Sequence, residues 1–271
     1  MKTVVITGSA RGLGLEMAKV FRQNNLNVVI SDLNEEKLQL AKEELEKIES
    51  SAKVSTYICN VTNTTDIKNL IDFTKKEFNN IDIWINNAGV NQPDKAIWEL
   101  TESEINQVLD VDLKGAIMGS KLAMEAMSEQ KCGAIYNVEG YGSNDAKMLG
   151  LSIYGTSKRA ITYFTESLAK ESGERNTGII IGRLSPGIMI TDFITNALGN
   201  KETINLPEKT KKVYNILGDY PDVVAEFLVN SILNNTKNNA HIEWLTNKKA
   251  AWRFITSSFN KRDFFSKSNN K

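Results

Sequence analysis

Tyr154 and Lys158 stand four residues apart in the segment YGTSK. Residues at i and i+4 share one face of a helix. An ammonium beside a phenol favours the phenolate and lowers a pKa that is ~10 when unperturbed. A phenol tuned in this way can exchange a proton with an alcohol or a carbonyl oxygen. Such chemistry needs a hydride carrier, and the start of the chain has a loop suited to one. The first apolar run ends in TGSARGLG, which contains Gly8, Ser9, Arg11, Gly12, Leu13 and Gly14, and a helical pattern follows at once. Glycines there let the backbone turn sharply and approach a pyrophosphate, while the helix start offers free N–H groups. The next run, NVVISDLN, carries Asp32 and Leu33. A carboxylate ~20 residues past the glycines accepts hydrogen bonds from ribose hydroxyls and repels a 2′-phosphate, which favours NAD(H). Arg11 pulls the other way, because a guanidinium in the loop can pair with that phosphate, so NADP(H) stays open.

The elements that must position these groups are legible as an alternation. Short β-branched runs lie at Thr3–Thr7, Asn27–Ser31, Val54–Cys59, Ile81–Ile85, Ala134–Val138 and Gly178–Leu184. Each is too short for a helix and apolar enough for a strand buried on both faces. Between them, Leu38, Ala41, Leu45 and Ile48 follow helical spacing, as do Ile67, Leu70, Ile71 and Thr74. Strand–helix alternation predicts an α/β fold in one domain: a Rossmann-type doubly wound parallel sheet flanked by helices.

Composition narrows the function classes. Lys+Arg and Asp+Glu both number 33, so nothing global points to nucleic acid. Cys59 and Cys132 are read as buried structural thiols, and one His with two Cys argues against a metal site. No run approaches the ~20 apolar residues of a membrane span, and VVITG after Met1 is too short for a signal-peptide core. These features lead to the expectation of a cytoplasmic protein.

Taken with four later motifs, the glycine turn resembles the short-chain dehydrogenase/reductase family. TGxxxGxG is kept in full. The third strand ends in CNVT, placing Asn60 and Val61 where the family usually has an acid near the adenine. The fourth runs into Asn86, Asn87, Ala88 and Gly89, the family's NNAG, and YxxxK is Tyr154 and Lys158. LSPGIMIT supplies Pro186, Gly187, Met189 and Thr191, which the resemblance puts at the nicotinamide end. It implies an NAD(P)(H)-dependent oxidoreductase that interconverts an alcohol and a carbonyl.

Two departures stand out. Glu139 and Gly140 occupy the place where the family often has two serines, and Asp112 stands where it usually has Asn. Ser143, 11 residues before Tyr154, is the candidate replacement hydroxyl. Burying Asp112 charged is costly unless Lys158 or a backbone donor pairs with it. The run NVEGYGS before YGTSK, with LSPGIMITD, is similar to the branch containing the chlorophyll b reductases. That implies a carbonyl on a large, flat, hydrophobic molecule. The rival reading is a catalytically degenerate member that binds a dinucleotide as a redox sensor, motivated by Gly140 and Asp112.

The substrate end is expected in residues 192–216, where Phe193, Ile194 and Leu198 would line an apolar pocket. A body of residues 1–247 is followed by a basic-aromatic tail, 248–271, with Trp252, Phe254, Phe259, Phe264 and Phe265 among seven Lys/Arg and one Asp. Three readings stay open for the tail: packing across a neighbouring subunit, walling its own pocket, or lying on an anionic membrane. The resemblance implies a homodimer or homotetramer through the long helices.

Overall fold

A computed structural model describes residues 1–189, 208–260 and 262–265. Seven strands form one parallel sheet in the order β3-β2-β1-β4-β5-β6-β7. They are β1 (Thr3–Thr7), β2 (Asn27–Asp32), β3 (Val54–Ile58), β4 (Ile83–Asn86), β5 (Gly133–Val138), β6 (Ile179–Ser185) and β7 (Ala240–Glu243). The seventh was not among the expected runs. AHIE is short and half polar, and among the described residues β7 pairs along one side only, from Gly182↔Ala240 to Ser185↔Glu243.

Side chains alternate across the sheet as strand geometry requires. Val4 and Ile6 join one core with α1 (Gly12–Gln23) and α2 (Glu35–Glu46). Val5 faces the opposite core, with α3 (Thr64–Phe78). The order reverses between β1 and β4, the switch point at which ligands sit in open α/β sheets.

The remaining helices complete the layers. α4 (Glu102–Val108) runs through one π-helical segment, Leu109–Gly115, into α5 (Ala116–Gln130). α6 (Ser152–Glu174) buries Tyr154, Ser157, Lys158, Ile161, Thr162 and Thr165 on one stripe, so its core face and its reactive face are continuous. α7 (Glu208–Leu217), α8 (Pro221–Asn234) and α9 (Asn247–Thr256) follow. The helical α7 takes the end of the stretch expected as a substrate loop. Phe193, Ile194, Leu198 and Thr191 lie outside the described residues.

Cys59 is buried, and burial pushes its thiol up to about 12. Cys132, expected to be buried too, is exposed. Among the described residues no group of His, Cys, Asp and Glu could hold a metal, and no helix is long and apolar enough to cross a membrane.

Candidate active site

The glycine turn is built by close backbone approach. Gly8 has φ +61°, and a Cβ there would lie 2.6 Å from Ala88 Cα. A Cβ on Gly14 would lie 2.6 Å from Asn87 Nδ2 and 2.8 Å from the Gly8 carbonyl. Asn87 Nδ2 donates to the Thr7 and Gly8 carbonyls at 3.0 and 2.8 Å, so it braces the turn from the end of β4. Ser9 is fully buried: its hydroxyl donates to the Ile6 carbonyl at 2.6 Å and accepts from Ser31 N–H at 3.0 Å. The Ser9 side chain therefore ties β1 to β2, and a ligand could meet only its backbone. The buried Leu13 side chain is likewise committed to the core.

This turn fits a dinucleotide pyrophosphate. Gly12, at φ +58°, has open space where a Cβ would stand. Arg11, the N-cap, makes no side-chain cap bond, and the first turn of α1 holds no acid. The N–H groups there, at the positive end of the helix, therefore suit an anion. Asp32 is half-buried at the end of β2, beside the exposed Leu33. Asn60 Oδ1 accepts from Thr62 N–H and Oγ1 at 3.0 and 2.9 Å, which leaves its amide NH2 as the group able to meet an adenine. Val61 packs where a Cβ on Gly115 would meet it at 3.1 Å.

The ends of β4 and β5, the π segment and α6 converge on the Tyr154–Lys158 pair. Lys158 Nζ lies 3.1 Å from Asp112 Oδ2 and 5.4 Å from the Tyr154 ring centroid. Val90 N–H donates to Asp112 Oδ1 at 2.7 Å. Asp112 thus has both compensating partners that its burial requires. A Cβ on Gly89 would lie 3.6 Å from Lys158 Nζ and from both Asp112 oxygens, so the NNAG glycine borders the pair. π-helical segments inserted between α-helices are rare and occur frequently at functional sites.

Gly140 explains the missing serine. A Cβ there would fall on the Tyr154 hydroxyl and lie 3.2 Å from Lys158 Cγ, so no side chain fits with the phenol as placed. Ser143 follows in a tight reversal, where its N–H donates to the Gly140 carbonyl at 3.2 Å. That reversal lies directly on α6. A Cβ on Gly142 would be 2.6 Å from Gly155 Cα, and Arg159 Nη1 donates to the Ser143 carbonyl at 2.8 Å.

Electrostatics correct one expectation. Tyr154 is pushed above the usual phenol range, not below it: burial raises it, the Lys158 charge opposes that, and the Asp112 carboxylate adds to the rise. Burial pulls Lys158 down, but Asp112 and Tyr154 outweigh that and hold it above its ordinary value. Asp112 itself is raised by burial, against Lys158 and the Val90 N–H. A neutral phenol beside an ammonium already paired to a carboxylate is set to donate a proton.

Two supports escaped the sequence reading. Gln92 is buried, and its Oε1 accepts from the Ile153 and Tyr154 N–H groups at 2.8 and 3.2 Å, capping the helix that carries the pair. A polar residue just past NNAG was the signal. Glu139 points away from Tyr154 into a buried cluster. It accepts from Thr162 Oγ1 at 2.7 Å and from Ser185 Oγ, and it lies 3.3 Å from His241 Nε2 and 3.5 Å from Arg183 Nη1. Burial raises its pKa, but the hydrogen bonds of His241, Ser185 and Thr162 and the Arg183 charge bring it to about 2. Beyond β6, Pro186 is buried, Gly187 turns at φ +74° against Leu245, and Met189 bridges to Asp219.

A parallel sheet with a glycine turn at its switch point, and a Tyr–Lys pair at the strand ends, defines a dinucleotide-dependent dehydrogenase architecture. The short chain dehydrogenase family model matches residues 2–202, and the chain belongs to that family. Its relatives include the probable chlorophyll(ide) b reductase NYC1, chloroplastic, of Arabidopsis thaliana. That protein is 31% identical over 272 residues, covering 94% of this chain, and the chain spans about half of its length (53%). The chlorophyll(ide) b reductase NOL, chloroplastic, of Oryza sativa subsp. japonica is 32% identical over 261 residues, covering 93% of this chain and 74% of that one. Among solved structures, a variant of actinorhodin polyketide ketoreductase with NADPH superposes with a TM-score of 0.80 at 22% identity, covering 92% of this chain and 97% of that one. The expected cytoplasmic location does not stand. Both plant relatives are named as chloroplastic, and the charge balance and short apolar runs that motivated the expectation are properties of the folded domain, not of its address.

Proposed function

We propose that this protein interconverts an alcohol and a carbonyl on a bulky hydrophobic substrate, with NAD(H) preferred. Tyr154 is the proton donor and acceptor, Lys158 and Asp112 set its charge environment, and Ser143 supplies the second hydroxyl. The observation that carries the reading is the convergence of Tyr154, Lys158, Asp112 and Gly89 beside a turn that fits a pyrophosphate. The bound nicotinamide would give or take the hydride. The chain's own part is to hold the substrate oxygen between the Tyr154 and Ser143 hydroxyls and to move one proton at Tyr154 Oη. Lys158 stabilises the phenolate that remains when the carbonyl is reduced. The half-buried Asp32 supports NAD(H), and the relatives named as chlorophyll(ide) b reductases support a large planar carbonyl. We also infer a homodimer or homotetramer through α5 and α6. Tyr163 on the outer side of α6, 75% exposed, supports this.

The test is oxidation of NADH and NADPH against carbonyls ranging from small aldehydes to large planar ones, for wild type and Tyr154→Phe. Turnover with NADH on the large substrates is expected, with a fall of roughly 10²–10⁴-fold in the variant. Equal rates in the two proteins would remove Tyr154 from the chemistry. Cofactor binding with no turnover on any carbonyl would favour the redox-sensor reading instead.

A further inference from the structure

α9 is an amphipathic helix mounted with its polar side inward. Arg253 reaches in to Asp219, with Nη1 2.6 Å from Oδ2, and donates to the Leu217 carbonyl at 3.0 Å. Arg262, just past the helix, grips the same carboxylate at 3.0 Å. Trp244 is a third donor to it, through Nε1 at 2.6 Å. The apolar side is left outside. Trp252 and Ile255 on the helix, and Phe259 in the turn after it, are 65%, 71% and 93% exposed. None of the ten residues of α9 is buried among the described residues. Scattered exposed apolar residues are ordinary, but three large ones within eight residues, beside an arginine turned inward, mark a surface that meets something.

Charge indicates what that something is. α7 packs against α9, and the two helices together carry six Lys/Arg and one acid. Lys209, Lys212 and Lys248 are exposed on these two helices. A second copy of this face would bring lysines against lysines under two-fold symmetry, which like-charge repulsion opposes. Exposed apolar side chains, two of them aromatic, on a pair of lysine-rich helices match the headgroup–acyl boundary of an anionic bilayer. The surface also lies at the substrate end: Asp219, which fixes α9, donates its N–H to the Ile188 carbonyl at 3.0 Å, directly after the Pro186–Gly187 turn.

We propose that α9 and the following turn dock this protein on an anionic lipid bilayer, with the open end of the site toward the lipid. The orientation rests on the reading of an apolar substrate, which would partition into that phase; the docking itself does not.

Co-sedimentation of the full chain with vesicles tests the docking without turnover, so its failure is distinct from failure of the enzymatic reading. The probes are vesicles of phosphatidylcholine alone and of phosphatidylcholine with phosphatidylglycerol. Binding to the anionic vesicles is expected at least about tenfold above the neutral ones, and it should weaken as salt screens the lysines. A combined W252E/I255E/F259E variant should lose that binding by about tenfold or more while its melting temperature and its reduction of a water-soluble carbonyl hold. No sedimentation, equal binding to neutral vesicles, or binding unchanged in the variant would each overturn the proposal. Light scattering in which the variant dissociates a lipid-free oligomer would assign the face to a second copy instead.

Discussion

The β1–α1 turn is fixed by neutral groups: Asn87 to the Thr7 and Gly8 carbonyls, Ser9 to Ile6 and Ser31, and glycine backbone against Ala88. The ends of β5 and β6, β7 and the α7–α8 connection are fixed by charge, with Glu139 shared among Thr162, Ser185, His241 and Arg183, and Asp219 among Arg253, Arg262 and Trp244. Neutral hydrogen bonds keep their worth across pH and salt. Breaking a buried ion pair costs ~3–5 kcal/mol because one charge is left alone. The glycine-turn end is therefore a fixed mould, while the β5–β7 end depends on ionisation states. The Tyr154–Lys158–Asp112 triad lies between them, with the phenol neutral and the ammonium paired.

The contrast between the two ends can be attacked first at its centre. Gly140→Ser would restore the family's usual residue, yet its side chain must displace the Tyr154 hydroxyl. We expect kcat to fall by about 10²-fold, the scale of losing one oxyanion donor, in steady-state carbonyl reduction. A gain in rate would return the serine's role to position 140 and remove Ser143 from it. Gly14→Ala attacks the neutral mould, since its Cβ would meet Asn87 and the Gly8 carbonyl. Overpacking costs ~1–3 kcal/mol, so NADH affinity should fall roughly 10–100-fold in a fluorescence titration, with the same loss at pH 6 and pH 9.

The ionic end should respond to pH instead. The Glu139 carboxyl stands at about 2 in the folded protein against an ordinary 4.5. A depressed folded pKa stabilises above the unfolded value and loses that contribution as pH falls from about 4.5 toward 2. Urea melts should show Glu139→Gln weaker than wild type by ~3 kcal/mol near neutrality, with the gap closing in that acid window. A gap that stays constant down to pH 2 would make the cluster a packing feature only. The smallest effect is a displacement. Asp112 raises Tyr154, so Asp112→Asn should move the alkaline limb of the kcat profile for reduction to lower pH. An unmoved limb would uncouple Asp112 from the phenol.

Much of this was legible in the sequence, because the informative residues act through local geometry. The glycine turn, NNAG and YxxxK each lie on one strand end or one helix turn, and the alternation of apolar runs marked six of the seven strands. What escaped depends on distant partners. β7 reads as a polar tetrapeptide until Gly182 pairs with Ala240. Glu139 could be seen to replace a serine, but not that it turns toward β6 and β7. Gln92 caps a helix that begins 60 residues after it. Tyr154 was expected to be acidified because the lysine was legible, whereas the burial that outweighs it was not.

The chain contains one histidine, and that histidine is His241. Its ring lies 2.8 Å from Ser185 Oγ and 3.3 Å from Glu139, at the junction of three strands. A proton NMR spectrum of the unlabelled protein should therefore hold a single set of imidazole signals. Any shift of those lines on adding dinucleotide, carbonyl or vesicles would report from one known spot, giving a built-in reporter of whether events at the glycine turn reach the far edge of the sheet.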